Sequence, residues 1–307
     1  MSDPDLTSLD ALPTEAARPE VADLDAWATP RLVELFIADH DAVTRALASV
    51  ATQLSAAADL VAAQLASGGR LIYAGAGTGG RLAALDAAEI GPSYGFSGRV
   101  VAAFAGGVDA MLEGREFYED DAAQGAEELR ALASSEFDVV VGVSASGRTP
   151  YVVGALQTAR ESGAAVVALT CAPGSPLAGL ADLAVEIDTG AEIISGSTRL
   201  KAGDAQKAAL NMLSTIAMVR LGRTYGNLMV DVVADNAKLR RRALRAVVQA
   251  TGAKPDDAAR ALDNAGGQAK AAIVALLADV PAGRARELLA AAKGQVRIAL
   301  ALAEAPD

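Results

Sequence analysis

Leu71-Ile72-Tyr73-Ala74 is an apolar run bounded by glycine, and it leads without a linker into Gly75-Ala76-Gly77-Thr78-Gly79-Gly80. Arg81 to Ile90 follows with Leu82, Leu85 and Ala88 at helical spacing. A buried strand, a glycine turn and a helix in immediate succession fix much of what such a chain can become. The turn presents backbone N–H groups at the positive end of the helix dipole, which makes it a ready anion site. Taken alone it would serve equally as a tight connection in any α/β protein. Gly91-Pro92 predicts the end of this helix, and Glu89 lies just before that stop.

The same alternation recurs downstream. Arg99 to Ala103, Asp138 to Val143, Ala165 to Thr170 and Ala184 to Ile187 read as further strands. Asp120 to Ser134, Pro150 to Glu161 and about Asp204 to Leu221 read as helices, and Met111 to Tyr118 as a short helix or turn. Strands alternating with helices predict an α/β fold with a parallel sheet of about five strands covered on both faces. With 52% hydrophobic but only 4% aromatic residues, the core must be built of Ala, Val and Leu. That suits helices lying close on a parallel sheet. Ligands then bind at the carboxyl ends of the strands.

Flanking segments complete the organisation. Residues 1–28 are rich in Asp, Ala and Pro and read as an arm, disordered or laid over a neighbour. Helices are expected from Pro30 to Leu47 and from Val50 to Ser67. Beyond Asn227 the pattern is helical again. The basic run Lys238 to Arg245 reads as a solvated helix face. From Gly252 three short helices are expected, broken at Gly266-Gly267 and Pro281-Ala282-Gly283, as a small bundle. The expected divisions are 1–28, 29–235 and 236–307.

Charge and composition exclude several functions. The 307 residues carry a formal net charge of −11, which argues against nucleic acid as a partner. No apolar stretch reaches a membrane span, and an acidic start (Asp3, Asp5, Asp10) is unlike a signal peptide, so a cytoplasmic location and no membrane partner are expected. A single cysteine forms no internal disulfide. A single histidine, His40, expected on a solvated surface, argues against a Ser-His-Asp hydrolase and against a zinc site built on several histidines. Acid–base chemistry must rest on carboxylates, lysine or tyrosine.

Three loops at strand ends carry hydroxyls: Thr78 in the first, Ser144, Ser146 and Thr149 in the second, Ser197 and Thr198 in the third. Each could be an ordinary helix cap. Three together suggest one pocket for an anionic, hydroxyl-rich ligand such as a sugar phosphate. Among carboxylates, Glu89 belongs to the helix leaving the glycine loop, and Glu116 and Glu119 stand three apart, on one face if helical. A carboxyl acting as general acid near pH 7 needs its charged form destabilised by about 3–4 kcal/mol, which burial and a second carboxylate can supply.

Six motifs carry a resemblance: GGRLIYAGAGTGGRLAALDAAE (68–89), AGG (105–107), VVGVSASGRTPYV (140–152), GSTRLKAG (196–203), QKAALNMLST (206–215) and NLMVDV (227–232). In this order they resemble the N-acetylmuramic acid 6-phosphate etherases, bacterial lyases of the sugar-isomerase (SIS) fold related to glucokinase regulatory protein. The similarity runs from about Asp25 to the C-terminus. It implies a three-layer αβα SIS domain with a small C-terminal bundle like the ubiquitin-associated fold, a homodimer, and no metal or redox cofactor. The implied reaction removes the D-lactyl ether of N-acetylmuramic acid 6-phosphate in peptidoglycan recycling, by elimination through an unsaturated open-chain aldehyde and then hydration. Glu89 matches the family's acid on the departing lactate, and Glu119 the base that takes the C2 proton. Gly77, Thr78, Gly79, Glu116, Ser146, Gly147, Arg148, Thr149, Ser197, Thr198 and Lys201 are the candidate substrate-binding residues.

Three departures stand out. Gly79 replaces a serine of the family's first loop, and Asp204 replaces a threonine of its KAGTAQK segment. The N-terminal Thr-Glu…Asn signature is reduced to Thr14-Glu15. Asp204 reads either as the N-cap of the long helix or as a carboxylate facing the phosphate. Alternatives therefore stay open: a lyase of this fold on a different sugar, a sugar-phosphate sensor without turnover, or an aldose–ketose isomerase. Retention of both Glu89 and Glu119 counts against a pure sensor.

Overall fold

Five runs of Val, Ala, Leu and Ile become the strands of one parallel sheet: β1 (Leu71–Gly75), β2 (Val100–Phe104), β3 (Val139–Ser144), β4 (Ala165–Thr170) and β5 (Leu183–Glu186). Their order is β2-β1-β3-β4-β5, with every pair parallel. The chain starts in the middle and winds outward in both directions. The carboxyl ends of β1 and β3 therefore lie side by side, with Gly75 paired to Val143. These positions belong to a computed structural model that describes residues 12–232 and 237–305. By contacts the chain forms two compact units, Met1–Ala88 with Arg99–Ser214, and Glu89–Gly98 with Thr215–Asp307.

In the first unit, helices α1 (Thr29–Ser49) and α2 (Ala51–Ala66) precede β1, and α3 (Gly77–Tyr94) follows it. Then come α4 (Gly107–Leu112), α5 (Ala122–Ala131), α6 (Pro150–Glu161), α7 (Pro176–Leu180) and α8 (Lys201–Arg220). Ile72, Ala74, Val140 and Val166 on one sheet face pack with Val152, Ala155, Leu156 and Ala159 of α6 and Leu177 of α7. On the other face the fully buried Tyr73 donates its hydroxyl to Asp86 of α3 at 2.8 Å. Asn211 (2.9 Å) and Ser214 (3.0 Å) of α8 donate to the other oxygen of Asp86. The three-layer α/β arrangement expected from the alternation is present, and α6 and β4 fall on the predicted residues.

Among the helix starts that differ from expectation, two have clear local reasons. α3 begins within the glycine loop, at Gly77, and passes through Gly91-Pro92 to Tyr94. Proline in the last turn removes only one N–H, so the helix closes instead at Gly95 (φ 61°), whose N–H bonds the Gly91 carbonyl. α8 begins at Lys201, three residues early, because the Glu192 carboxylate accepts the N–H groups of Lys201 (3.0 Å) and Ala202 (2.9 Å). Asp204 is therefore inside the first turn and does not cap the helix. Its carboxylate pairs with His40 Nε2 at 3.1 Å, both on the exposed surface.

Residues 12–28 lie on their own chain through short 3-10 turns at Pro13–Glu15, Pro19–Val21 and Leu24–Ala26. Thr14 is fully buried, and its carbonyl accepts the Gly196 N–H at 2.9 Å. Residues 1–11 of the expected arm lie outside the described residues. The second unit holds a two-strand hairpin, β6 (Thr224–Tyr225) and β7 (Leu228–Met229), and helices α9 (Ala237–Thr251), α10 (Pro255–Asn264), α11 (Ala269–Leu277), α12 (Ala282–Ala291) and α13 (Val296–Glu304). The tail from Gly252 thus has four helices where three were expected. The extra break falls at Lys293-Gly294, both with positive φ. Lys238, Arg240, Arg241, Arg242 and Arg245 of α9 are all exposed, while Ala243, Ala246 and Val247 are buried. The basic run is a solvated face.

Candidate active site

Because α3 starts in the glycine loop, the N–H groups of Gly77, Thr78 and Gly79 have no carbonyl one turn earlier to bond. They open into a cavity of about 390 Å³ at the carboxyl ends of β1 and β3. Thr78 and Gly79 from the first loop, Ser144, Ser146 and Thr149 from the second, and Ser197 and Thr198 from the third all line it. The three hydroxyl loops do converge. Inside the second loop, Ser144 organises the turn: its Oγ lies 2.7 Å from Thr149 Oγ1 and accepts the Gly147 N–H at 3.0 Å. The size suits one small polar ligand.

Glu119 lines the cavity from a 3-10 turn, Glu116–Asp120. Its carboxylate lies against the start of α3, so close that a Cβ on Gly77 would stand 2.6 Å from Glu119 Oε1. Gly77 has φ 52°, a backbone conformation that favours glycine. The carboxylate thus lies at the amino-terminal end of α3. Arg81, Arg115 and Arg199 bring positive charge to the same walls. Arg81 also ties down the end of α4, donating to the carbonyls of Met111 (3.0 Å) and Ala110 (2.9 Å).

Of the lining residues outside the predicted set, two come from further segments of the chain. Glu15 reaches the cavity from the amino-terminal segment, which Ser195 Oγ holds by donating to the Glu15 carbonyl. Gln206 of α8 forms part of the wall while only 1% exposed, and its Nε2 has no hydrogen-bond partner among the described residues. A buried donor left without an acceptor costs about 1–3 kcal/mol. The Thr14-Glu15 pair was visible as a reduced signature. Gln206 opens the QKAALNMLST motif, but that motif did not mark it as a wall residue, because its place depends on a loop 127 positions away.

Several predicted residues are not brought to the cavity. Lys201 is buried with its Nζ on the Ala191 carbonyl (2.6 Å) and 3.4 Å from Asp39, which also takes Arg18 at 2.7 Å. It fastens the loop and the amino-terminal segment together and does not line the pocket. Gly147, φ 64°, is required by the approach of Ser175, 2.3 Å from where a Cβ would be. Gly147 and Arg148 are absent from the lining. The side chain of Glu116 lies outside the described residues. Glu89 is exposed on α3, twelve positions beyond Gly77 and so about 18 Å along the helix, and is not a lining residue.

Comparison with known proteins adds independent findings. Residues 53–160 match the glucokinase regulatory protein N-terminal SIS domain, and residues 121–216 match the SIS domain. An N-acetylmuramic acid 6-phosphate etherase of Rubrobacter xylanophilus is 54% identical over 293 residues, covering 95% of this chain and 97% of that protein. The protein of the same name from Streptomyces coelicolor is 52% identical over 302 residues, covering 98% and 97%. Among solved structures, a phosphoheptose isomerase from Francisella tularensis is 16% identical at a TM-score of 0.48, covering 62% of this chain and 97% of that one.

Proposed function

The chain belongs to the N-acetylmuramic acid 6-phosphate etherase family, and on that premise we propose that its cavity cleaves the D-lactyl ether of N-acetylmuramic acid 6-phosphate. The products are N-acetylglucosamine 6-phosphate and D-lactate, as cell-wall recycling requires. The observation that carries this reading is Glu119, a carboxylate held over the first turn of α3 in a cavity walled by hydroxyls. The free N–H groups of that turn, with Ser146, Thr149, Ser197 and Thr198, hold the phosphate. Arg115 and Arg199 balance its charge.

With the sugar open as its aldehyde, the C2 proton is acidic, and Glu119 removes it. The electron pair forms the C2–C3 double bond and breaks the C3–O bond to lactate, whose oxygen takes a proton from Glu89. Water then adds to C3, returns a proton to C2, and gives the saturated sugar. Lysine and histidine are not needed for these transfers. Glu89 stands on an exposed face, so its proton is available to a substrate held by a second copy of the chain. A homodimer also fits the apolar stripe of α1, where Val33, Phe36 and Ile37 are 52%, 38% and 67% exposed at helical spacing. Among the described residues no single helix is long and apolar enough to cross a membrane. The one cysteine, Cys171, is a buried thiol, which fits a reducing compartment; we place the enzyme in the cytoplasm.

The test is D-lactate release from N-acetylmuramic acid 6-phosphate by wild type, Glu119→Gln and Glu89→Gln. Wild type should turn over, and each variant should lose about 10²- to 10⁴-fold in kcat while still binding the sugar phosphate. Binding without release by wild type would replace this reading with a sensor. Full activity in Glu119→Gln would remove Glu119 as the base.

A further inference from the structure

The elimination proposed above needs a carbonyl at C1, yet a sugar of this kind rests almost wholly as a closed ring. Opening the ring moves one proton, from the C1 hydroxyl to the ring oxygen. It calls for a group that can take a proton near neutral pH and give it back. Among the described residues lining the cavity, Glu15 and Glu119 can do this; none is histidine, lysine, tyrosine or cysteine, and the arginines keep their protons. Glu119 acts at C2. Glu15 has no part in the steps given so far, although several contacts place it. It is half-buried, its carbonyl accepts from Ser195 Oγ, and the carbonyl of the fully buried Thr14 accepts the Gly196 N–H at 2.9 Å. Its carboxylate rests on the third loop, where Oε2 fills the space a Cβ on Gly196 would take. Among the described residues no hydrogen bond or ion pair occupies that carboxylate.

We propose that Glu15 is the residue that opens the sugar ring. Ser197 and Thr198, which follow Gly196 in the same loop and line the cavity, hold the phosphate on C6 in the reading above. The ring oxygen is carried by C5, the adjoining carbon, so a carboxylate resting at Gly196 is at the end of the sugar where that oxygen lies. The C1 hydroxyl and the ring oxygen are both bonded to C1, and the two oxygens of one carboxylate can span them. Glu15 takes the proton of the C1 hydroxyl, and the electron pair left on that oxygen forms the C1 carbonyl. The bond from C1 to the ring oxygen breaks, and the ring oxygen keeps its pair and takes the proton back from Glu15. The carboxylate ends as it began, and C2 stands beside a carbonyl for Glu119. The inference rests on the reading of the cavity as a phosphorylated-sugar site.

Exchange between the two anomers of N-acetylglucosamine 6-phosphate tests this without elimination, because each exchange opens and recloses the ring. Followed by proton exchange NMR, the full chain should accelerate it well above the rate in buffer. Glu15→Gln, which keeps the size but cannot carry the proton, should lose about 10²-fold or more of that acceleration. Calorimetry should show the same sugar phosphate still bound by this variant. Its release of lactate from N-acetylmuramic acid 6-phosphate should slow as well, since elimination then draws only on sugar that opens unaided. Glu15→Asp, which keeps a carboxylate, should retain part of the acceleration. Undiminished exchange in Glu15→Gln would overturn the proposal. Lost exchange together with lost binding would also overturn it, and leave Glu15 as a residue that only holds the wall. A wild type that accelerates exchange but releases no lactate would remove the etherase reading and leave the role of Glu15 standing. A wild type that releases lactate without accelerating exchange would overturn the role of Glu15 alone.

Discussion

At the scale of single residues, the cavity depends on side chains whose role is set by what lies opposite. Gly77 is glycine because its backbone stands at φ 52°, and the Glu119 carboxylate lies where a side chain would begin. Thr78, Ser146, Thr149, Ser197 and Thr198 were legible in the sequence, since a short hydroxyl after an apolar strand lands at the carboxyl edge of the sheet whatever the details. Lys201 was not, because a long side chain beside a hydroxyl loop can turn either way, and Asp39 from α1 draws it inward. Asp138 shows the same dependence with a measurable result. Burial pushes its carboxyl up, but the N–H groups of Arg70 and Ser135 and the Arg70 guanidinium prevail and hold it below the usual carboxylate range. A carboxyl lowered in the folded state adds stability above the unfolded value near 3.9, and that stability is lost as pH falls through the folded value. Asp138→Asn should therefore cost about 2–3 kcal/mol at pH 7. In urea denaturation the gap from wild type should close below about pH 4. A gap that stays constant from pH 7 to pH 3 would show that the charge does not matter.

Among elements, the strands were readable nearly residue by residue, whereas helix ends were not. An apolar run buried on both faces has few alternatives. A helix start is decided by whichever acceptor reaches it, and for α8 that acceptor is Glu192, nine residues away and on no recognisable capping pattern. The contact of α5 with α6 was hidden for a similar reason. A Cβ on Gly154 would lie 2.0 Å from the Ala122 carbonyl oxygen, and one on Gly125 would lie 2.0 Å from that of Tyr151. The two backbones touch through glycine on each side. Gly154→Ala should destabilise by about 2–3 kcal/mol through forced separation of the helices. Gly179→Ala on α7, where a Cβ meets nothing within 4 Å, should be neutral or stabilising by up to about 1 kcal/mol. Thermal melts of the two variants check the contrast, and equal losses would refute the account of the α5–α6 contact.

For the whole molecule, the proposed division of labour between Glu119 and an exposed Glu89 predicts a complementation. Equal amounts of Glu89→Gln and Glu119→Gln chains, unfolded together and refolded, should regain about a quarter of wild-type activity if each pocket draws the two carboxylates from different copies. Each mixed dimer then holds one intact pocket and one with neither carboxylate. No recovery would mean that both groups come from one chain. The sequence could not decide this, because assembly is a property of faces such as Val33, Phe36 and Ile37 rather than of any motif. The amino-terminal segment carries a consequence of another kind. Glu15, a wall residue of the cavity, is held by Ser195, 180 positions later. During synthesis the ribosome makes that piece of the wall at the outset, and at about 5–20 residues per second it must wait roughly ten to forty seconds for its seat to emerge. The pocket is thus closed last by the part of the chain that is born first, and a nascent chain cannot hold its ligand in full until two-thirds of the message has been read.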